Sequence, residues 1–563
     1  MELQGHNLSA VALSPYEWSI EFIKGQPKAY RPQNVPWVTK GPQEESGSET
    51  AQRRGPSTVD ELIQRFLTVL GDSRMPHKPS RYQSLELEAF CKPGSLDILE
   101  QGREGCVKYA LALLDDRSRQ GYQALPPTVA GQQRRSRGPL SSSDLLQELR
   151  KERYECEGEP NAARRLLYIT NPDSWAILAI ALTASRDQAF FLADFFYKYL
   201  GNKTALGIRV PPLGLPLFCL EFHFQFYVWQ EGGLLKRDKR TKRNNKPVRR
   251  SFELQHLGLD EPLKAFVHEA QISCLVTGLD HESWWAYLFV DTYYQGDSSC
   301  EDVEYYHSQK GGDIQTDPLT AGTLDANLPI WTPREYFLTI YECRLKQVKH
   351  AVHNLVSRLL LKLEPYLHDR QSLSSLPDND YMMSFDRKKQ IQQILDEASR
   401  LLRQTIHSIC RIIDTWDRFS SRDAAYLSDI VRHRGASDEA IPPFRLVAII
   451  GDHINDLREL RLRAEEQQDL CVGLARELEM QIVMEDNQIT TQQHQTGELV
   501  KVLTGIGLFF LPLTTTTALF RISLSTPKLE EATISPRTSC TSVVVRERSI
   551  YFNDLLNSRF GGK

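Results

Sequence analysis

Four hydroxyls fill one turn, Thr514 to Thr517, inside the apolar run LVKVLTGIGLFFLPLTTTTALF, Leu499 to Phe520. Hydroxyls in hydrocarbon are satisfied by their own backbone, by a neighbouring helix, or by water in a pore, so the chemistry on offer is binding and not bond-making. Stepping by three and four residues gives a seam of Val500, Leu503, Gly507, Leu511, Thr514 and Ala518. Small and hydroxyl-bearing, it suits close helix packing around a narrow path. Pro512 has no N–H for the carbonyl of Leu508, which leaves a bend or a weak turn in the middle of the run.

Other clusters carry less. KRDKRTKRNNKPVRR, Lys236 to Arg250, holds nine Lys or Arg in fifteen positions. Anionic lipid is the best of its functional readings, because no aromatic is interleaved for base stacking. A solvated hairpin loop is the simpler expectation, and no nucleic-acid partner is expected. The acidic stretch SSCEDVEYYHSQKGGDIQTD contains Glu301, Asp302, Glu304, Asp313 and Asp317. Hard cations need several oxygen ligands, but the spacing is not that of an EF-hand, so an exposed loop is expected. His350 and His353 lie three apart without a third ligand and are expected on the surface. No HExxH, P-loop, GxSxG or kinase set occurs, so the chain is not expected to be an enzyme and no cofactor is expected.

The apolar run needs an element that brings it to a bilayer. Val502 to Phe520 is free of charge over nineteen positions, which is roughly 28 Å of helix against a hydrocarbon core of about 30 Å. Lys501 and Arg521 bracket it and can snorkel to the interfaces. A buried core helix is the competing reading. Against it, five threonines would pack a soluble core poorly, and the chain has no partner segment of comparable apolarity. A transmembrane helix over 499–520 is therefore expected, with membrane lipids as partners.

Upstream, a capping box TPRE, Thr332 to Glu335, starts a helix with Phe337, Tyr341, Leu345, Val348, Val352, Leu355 and Leu359 at helical steps. A second helix covers roughly Arg387 to Phe419. A third begins near Phe444 and shows Leu457, Leu460, Ala464, Cys471, Leu474 and Leu478, a spacing close to a heptad seam of a coiled coil. It meets no proline before Pro512 and is predicted to run unbroken into the apolar stretch, about 75 residues or ~110 Å.

Before Trp331 the pattern is mixed. SWAILAIALTASRDQAFFLADFFYKYL reads as two short helices, with Asp173 or Ser174 capping the first. LEFHFQFYV alternates, with Leu220, Phe222, Phe224, Phe226 and Val228 on one face and Glu221, His223 and Gln225 on the other, the mark of a half-buried strand. SFELQHL, ISCLVTG and AYLFVDTYY are further strands. The expected fold class is an α/β or α+β cytoplasmic domain, then long antiparallel helices and a stalk helix running into one transmembrane helix. The expected divisions are a disordered arm over 1–57, the α/β domain over 58–330 with a linker or loop at 126–144, the helical bundle and stalk over 331–498, the span, and an irregular tail over 521–563. A net charge of −4 over 563 residues names no polyanionic partner. Ten scattered cysteines without a CxxC read as reduced thiols, and the N-terminus shows no secretory signal. Most of the chain is therefore expected in the cytoplasm. The positive-inside rule weakly favours the opposite side for the folded part, on a thin charge count.

VKVLTxxxxxxLPLT, Val500 to Thr514, resembles the first transmembrane helix of the CorA magnesium transporters. EAQISCLVTG, FVDTYY and WTPREYFL are similar to divergent fungal members of the CorA-like group. The sharp motif covers some fifteen residues, and the similar architecture covers roughly 160 to 520. The resemblance implies a divalent-cation transporter or channel, with magnesium as the transported ion and a homo-oligomer, a pentamer in the family, whose stalk-linked helix lines the pore. The family's pore helix ends in Gly-Met-Asn; here Arg521, Ile522 and Ser523 occupy that mouth position. Five arginines there would repel a divalent cation. No second apolar run follows, so the sequence is expected to represent a CorA-like chain altered after its first span. Conduction is then expected to be poor, and a non-conducting, membrane-anchored oligomeric scaffold is the alternative function.

Overall fold

The computed structural model describes residues 58–68, 81–102, 109–119, 131–133, 138–154, 161–209, 217–257, 264–280, 283–295, 303–308, 314–368, 381–423 and 443–523. The expected arm over 1–57 and the tail beyond 523 lie outside them. Helices α1 (Val59–Thr68), α2 (Arg81–Cys91) and α3 (Leu96–Gln101) precede strands β1 (Ala112–Arg119) and β2 (Gly131–Gln133). Then come α4 (Ser142–Arg150), β3 (Arg164–Thr170), α5 (Ser174–Thr183), α6 (Arg186–Leu200), β4 (Ala205–Arg209) and β5 (Phe218–Glu231). Strands β6 (Ser251–Glu253), β7 (Ala265–Gly278) and β8 (Trp284–Val290) follow, with α7 (Val303–Ser308) and a 3-10 turn at Pro318–Thr320. Three long helices close the series: α8 (Pro333–His368), α9 (Tyr381–Arg422) and α10 (Pro443–Ser523).

The strands form one mixed sheet in the order β2-β1-β3-β8-β7-β5-β4, with β6 also on β7. β3 and β8 are parallel, while β1–β3, β7–β8, β5–β7 and β4–β5 are antiparallel. The fold is therefore a mixed-sheet domain followed by long helices. The expected linker at 126–144 contains β2 and the start of α4. Ser141 caps α4 in a box with Asp144, each side chain meeting the other's backbone N–H.

Local signals form where the residue types place them. Asp173 caps α5, accepting from the amide of Ala176 at 2.8 Å. The Thr332 hydroxyl reaches the Glu335 carboxylate at 2.9 Å where α8 begins. The alternating face of β5 packs on α8: Phe222 meets Phe337 and Tyr341 at ring separations of 5.8 and 5.3 Å. Its polar face is a correction to the half-buried reading. Glu221 and His223 are buried as well, because α6 covers that side of the sheet and supplies partners for them.

Burial on both faces separates two cores. One joins the β5 aromatics to α8, α9 and α10; the other joins Leu167, Ile169, Leu275 and Phe289 to α1, α5 and α6. The heptad-like positions Leu457, Leu460, Ala464, Cys471, Leu474 and Leu478 all lie in the first core. The seam read as a coiled coil is thus consumed within this chain. The chain divides into two compact units, residues 1–484 and 485–563, and α10 is unbroken across 81 residues.

Replacing Phe222 by Ala removes a ring packed on three others, and is expected to cost about 3–5 kcal/mol of stability. Leu462→Ala, at a side chain 57% exposed, is expected to change stability by no more than ~0.5 kcal/mol. Urea denaturation of the two variants separates these outcomes.

Candidate functional site

The apolar run forms the end of α10. It is long and apolar enough to cross a membrane, and none of its most apolar window is buried. Leu508, Phe509 and Phe510 are 70%, 78% and 62% exposed. Such exposed apolar side chains suit a membrane anchor better than a core helix. At 100° per residue, Val500, Leu503, Gly507, Leu511, Thr514 and Ala518 fall within an arc of about 80° on one face. Side chains of this seam are exposed, apart from half-buried Gly507. A Cβ added at Gly505 or Gly507 would meet nothing within 4 Å. Thr504, Gly507, Leu508, Leu511, Pro512 and Thr515 line a shallow groove along the helix.

The hydroxyls find their partners on their own helix. Thr514 donates to the carbonyl of Phe510 at 3.0 Å, Thr515 to Leu511 at 2.9 Å, Thr516 to Pro512 at 2.6 Å and Thr517 to Leu513 at 2.9 Å. Thr504 does the same to Val500 at 2.7 Å. With its proton committed inward, each oxygen turns its lone pairs outward and becomes an acceptor. At the mouth position, α10 continues through Ser523, three residues beyond the expected end of the span. The Arg521 side chain is exposed, and those of Ile522 and Ser523 lie outside the described residues.

The basic run is only partly the solvated hairpin expected. Its base is held by three buried carboxylates, Asp291, Asp238 and Glu269. Asp291, just after β8, accepts from Arg249 Nε at 2.5 Å, Arg240 Nη2 at 2.8 Å, the Tyr199 hydroxyl at 2.5 Å and the Gln271 amide at 2.9 Å. Asp238 accepts from the amides of Arg240 and Arg249, both at 3.0 Å, and from the Arg240 guanidinium. Arg250 pairs with Glu269 at 2.6 Å. Burial alone would raise the Asp291 carboxyl, but Arg249 and Arg240 hold it below the ordinary value. Five of the run's cations, Arg237, Lys239, Arg243, Lys246 and Arg250, remain exposed.

A second network lies under α6. Glu221 accepts from Lys198 at 2.5 Å and Arg209 at 2.7 Å. These cations outweigh the cost of burial and hold its carboxyl well below the ordinary range. His223 bonds Ser273 at 2.8 Å and faces Glu221 at 3.5 Å. The serine, histidine and carboxylate have the residue types of a nucleophilic triad, but His223 and Ser273 have no exposed surface, so no substrate can reach them. Burial lowers the affinity of His223 for a proton.

Of the acidic loop, Glu301, Asp302 and Asp313 lie outside the described residues. Asp317 is occupied, capping the 3-10 turn through the Leu319 amide at 2.9 Å and accepting from Tyr336 at 2.6 Å. No group of three or more metal-ligating side chains occurs among the described residues. His350 and His353 are exposed and line a cavity of about 1060 Å³ between α8 and α10, with Leu446, Leu460 and Arg463 opposite. Beside it runs a chain of contacts that no spacing rule announces. Lys349 donates to Asp456 at 2.6 Å and to His453 at 3.0 Å, and His453 faces Glu342 at 3.2 Å.

No protein-family model and no curated protein matches this sequence. Among solved structures, that of the full-length CmaX protein is similar, at 12% identity, over 73% of this chain and 85% of that one. The TM-score is 0.26, and a superposition of that quality carries no argument about fold or function.

Arg249→Met leaves Asp291 buried without its closest cation, and is expected to destabilise the protein by about 3–5 kcal/mol. Acid should act in two stages. His268 is pushed down to about 4 by burial and by Lys236, so the unfolded chain binds its proton first, and stability should fall as pH drops from about 6.5 towards 4. Asp291 and Glu221, both depressed, lose their contribution only at lower pH, as each is protonated in the folded state. His223, lowered by burial as well, adds to the upper stage, so thermal melts across pH should show His268→Gln reducing that stage without abolishing it and leaving the lower stage unchanged.

Proposed function

We propose that this chain is a CorA-like membrane protein that passes divalent cations, magnesium in the first instance, along a path lined by several copies of the seam Val500–Ala518. The reading rests on the sequence resemblance in Val500–Thr514. The observation that carries it in the structure is the state of Thr514. Its hydroxyl proton is bound by the helix backbone, so on the seam it offers lone pairs alone, which suits the water shell of a cation. No covalent step is involved, and the folded domain serves a structural or regulatory purpose on the cytoplasmic side. Neighbouring copies, a pentamer by resemblance, supply the remaining walls of the path.

A membrane-anchored scaffold without conduction is the second reading, favoured by the exposed cationic Arg521 where the family's mouth lies. Magnesium uptake in transport-deficient cells decides between the two.

The full chain is expected to pellet with membranes and resist alkaline carbonate, and deletion of 502–520 to release it. In conducting vesicles, Thr514→Val is expected to slow magnesium entry roughly tenfold, the equivalent of about one hydrogen bond. Thr516→Val, on the opposite face, should leave the rate unchanged. Membrane insertion without magnesium flux in the unaltered chain would leave the scaffold.

A further inference from the structure

Leu234 is 86% exposed, more than any other large apolar side chain among the described residues. It stands at the crest of a short loop leaving β5, and that loop is fixed at both ends. Gly232 and Gly233 take positive φ values of 75° and 78°, a turn that side chains with a Cβ rarely adopt. The Gly232 amide is bonded to the Lys264 carbonyl at 2.9 Å. Two residues past the crest, Lys236 donates to the Gln295 carbonyl at 2.6 Å. Beyond it, Asp238 is buried in the clamp around Arg240 and Arg249. The leucine is therefore presented to solvent by a held backbone.

Cations follow this crest in the chain and gather at the end of β5 from which it leaves. Arg237 and Lys239 follow it in the chain and are exposed. The Lys264 side chain is 69% exposed. From α8, Arg358 reaches Glu231 at 3.6 Å, and Lys362 lies 5.8 Å over the ring of Trp229, both at the end of β5. Glu231 and Glu253 are the carboxylates paired with these groups, so positive charge is in excess among the described residues. An apolar tip flanked by Lys and Arg matches an anionic bilayer surface, where the tip enters the acyl boundary and the cations meet phosphate. Nucleic acid would use the cations but has no place for the leucine, and no aromatic is offered for stacking.

We propose that the 232–239 loop and the adjoining turn of α8 form a docking surface for anionic lipid headgroups, with Leu234 as its insertion point. The proposal does not depend on conduction. The test uses the full chain in nanodiscs of neutral phosphatidylcholine, which keeps the apolar segment of α10 occupied. Sucrose-loaded vesicles of phosphatidylcholine, with or without phosphatidylserine, are added and sedimented. The protein is expected to pellet with the phosphatidylserine vesicles alone. Leu234→Ser and the pair Arg237→Glu with Lys239→Glu should each weaken this about tenfold, and Leu234→Phe should retain it. Leu234 is solvent-exposed, so unchanged thermal melts are expected for its variants. No pelleting with phosphatidylserine, or pelleting insensitive to both changes, overturns the proposal. So does tighter binding to polyuridylate that ignores Leu234→Ser. If the chain fails to enter nanodiscs, the membrane-span reading fails, and the same sedimentation is run on the chain in solution.

Discussion

Asp291 stands at the point where the sheet, the helix above it and the basic hairpin must agree. One carboxylate accepts from two guanidiniums, a phenol and a backbone amide. The donors come from three places: Arg249 and Arg240 from the hairpin, Tyr199 from the end of α6, Gln271 from β7. A buried charge costs several kcal/mol unless it is fully partnered, so these elements are held together or none of them is. The hairpin's cations then divide. Those at its base are spent on the fold, and the remainder are displayed.

The constraint extends to the rest of the sheet. Helices cover both of its faces, so polar residues on β5 and β7 cannot turn to water. Glu221 is therefore met by Lys198 and Arg209, and His223 by Ser273. On the opposite face the requirement is volume. The β5 aromatics interlock with Phe337 and Tyr341, and Tyr341 stacks in turn on Trp416 of α9 at 5.6 Å. The buried stripe of α10 completes that core, which is why its heptad-like spacing serves the protomer.

The apolar end of α10 obeys a different rule. None of the described residues covers it, and its hydroxyls are satisfied inside the helix. Threonines on a helix can bond the carbonyl one turn back at little cost, which makes a hydroxyl-rich turn compatible with hydrocarbon. The same bonds fix the direction of the lone pairs. A segment built in this way meets its hydroxyl protons internally, and its four consecutive threonines turn acceptors to every side of the helix.

Periodicity and capping are local, and they were legible. The alternation from Leu220 to Val228, the Asp173 cap, the Thr332 start and the unbroken third helix depend on residues a few positions apart. The length of the charge-free run, with the seam along it, was equally plain. Where each face of β5 would end was not legible, because α6 is an equally good cover for polar and apolar residues once cations are within reach. Nor could spacing reveal that Arg249 would be wholly buried. Its partner is 42 positions away, and nine basic residues in fifteen look alike until one carboxylate chooses among them. Leu234 belongs to the same class, since exposure is a property of what fails to arrive. Short-range geometry is written in the order of residues; the pairing of distant charges and the covering of surfaces arise when the chain closes on itself.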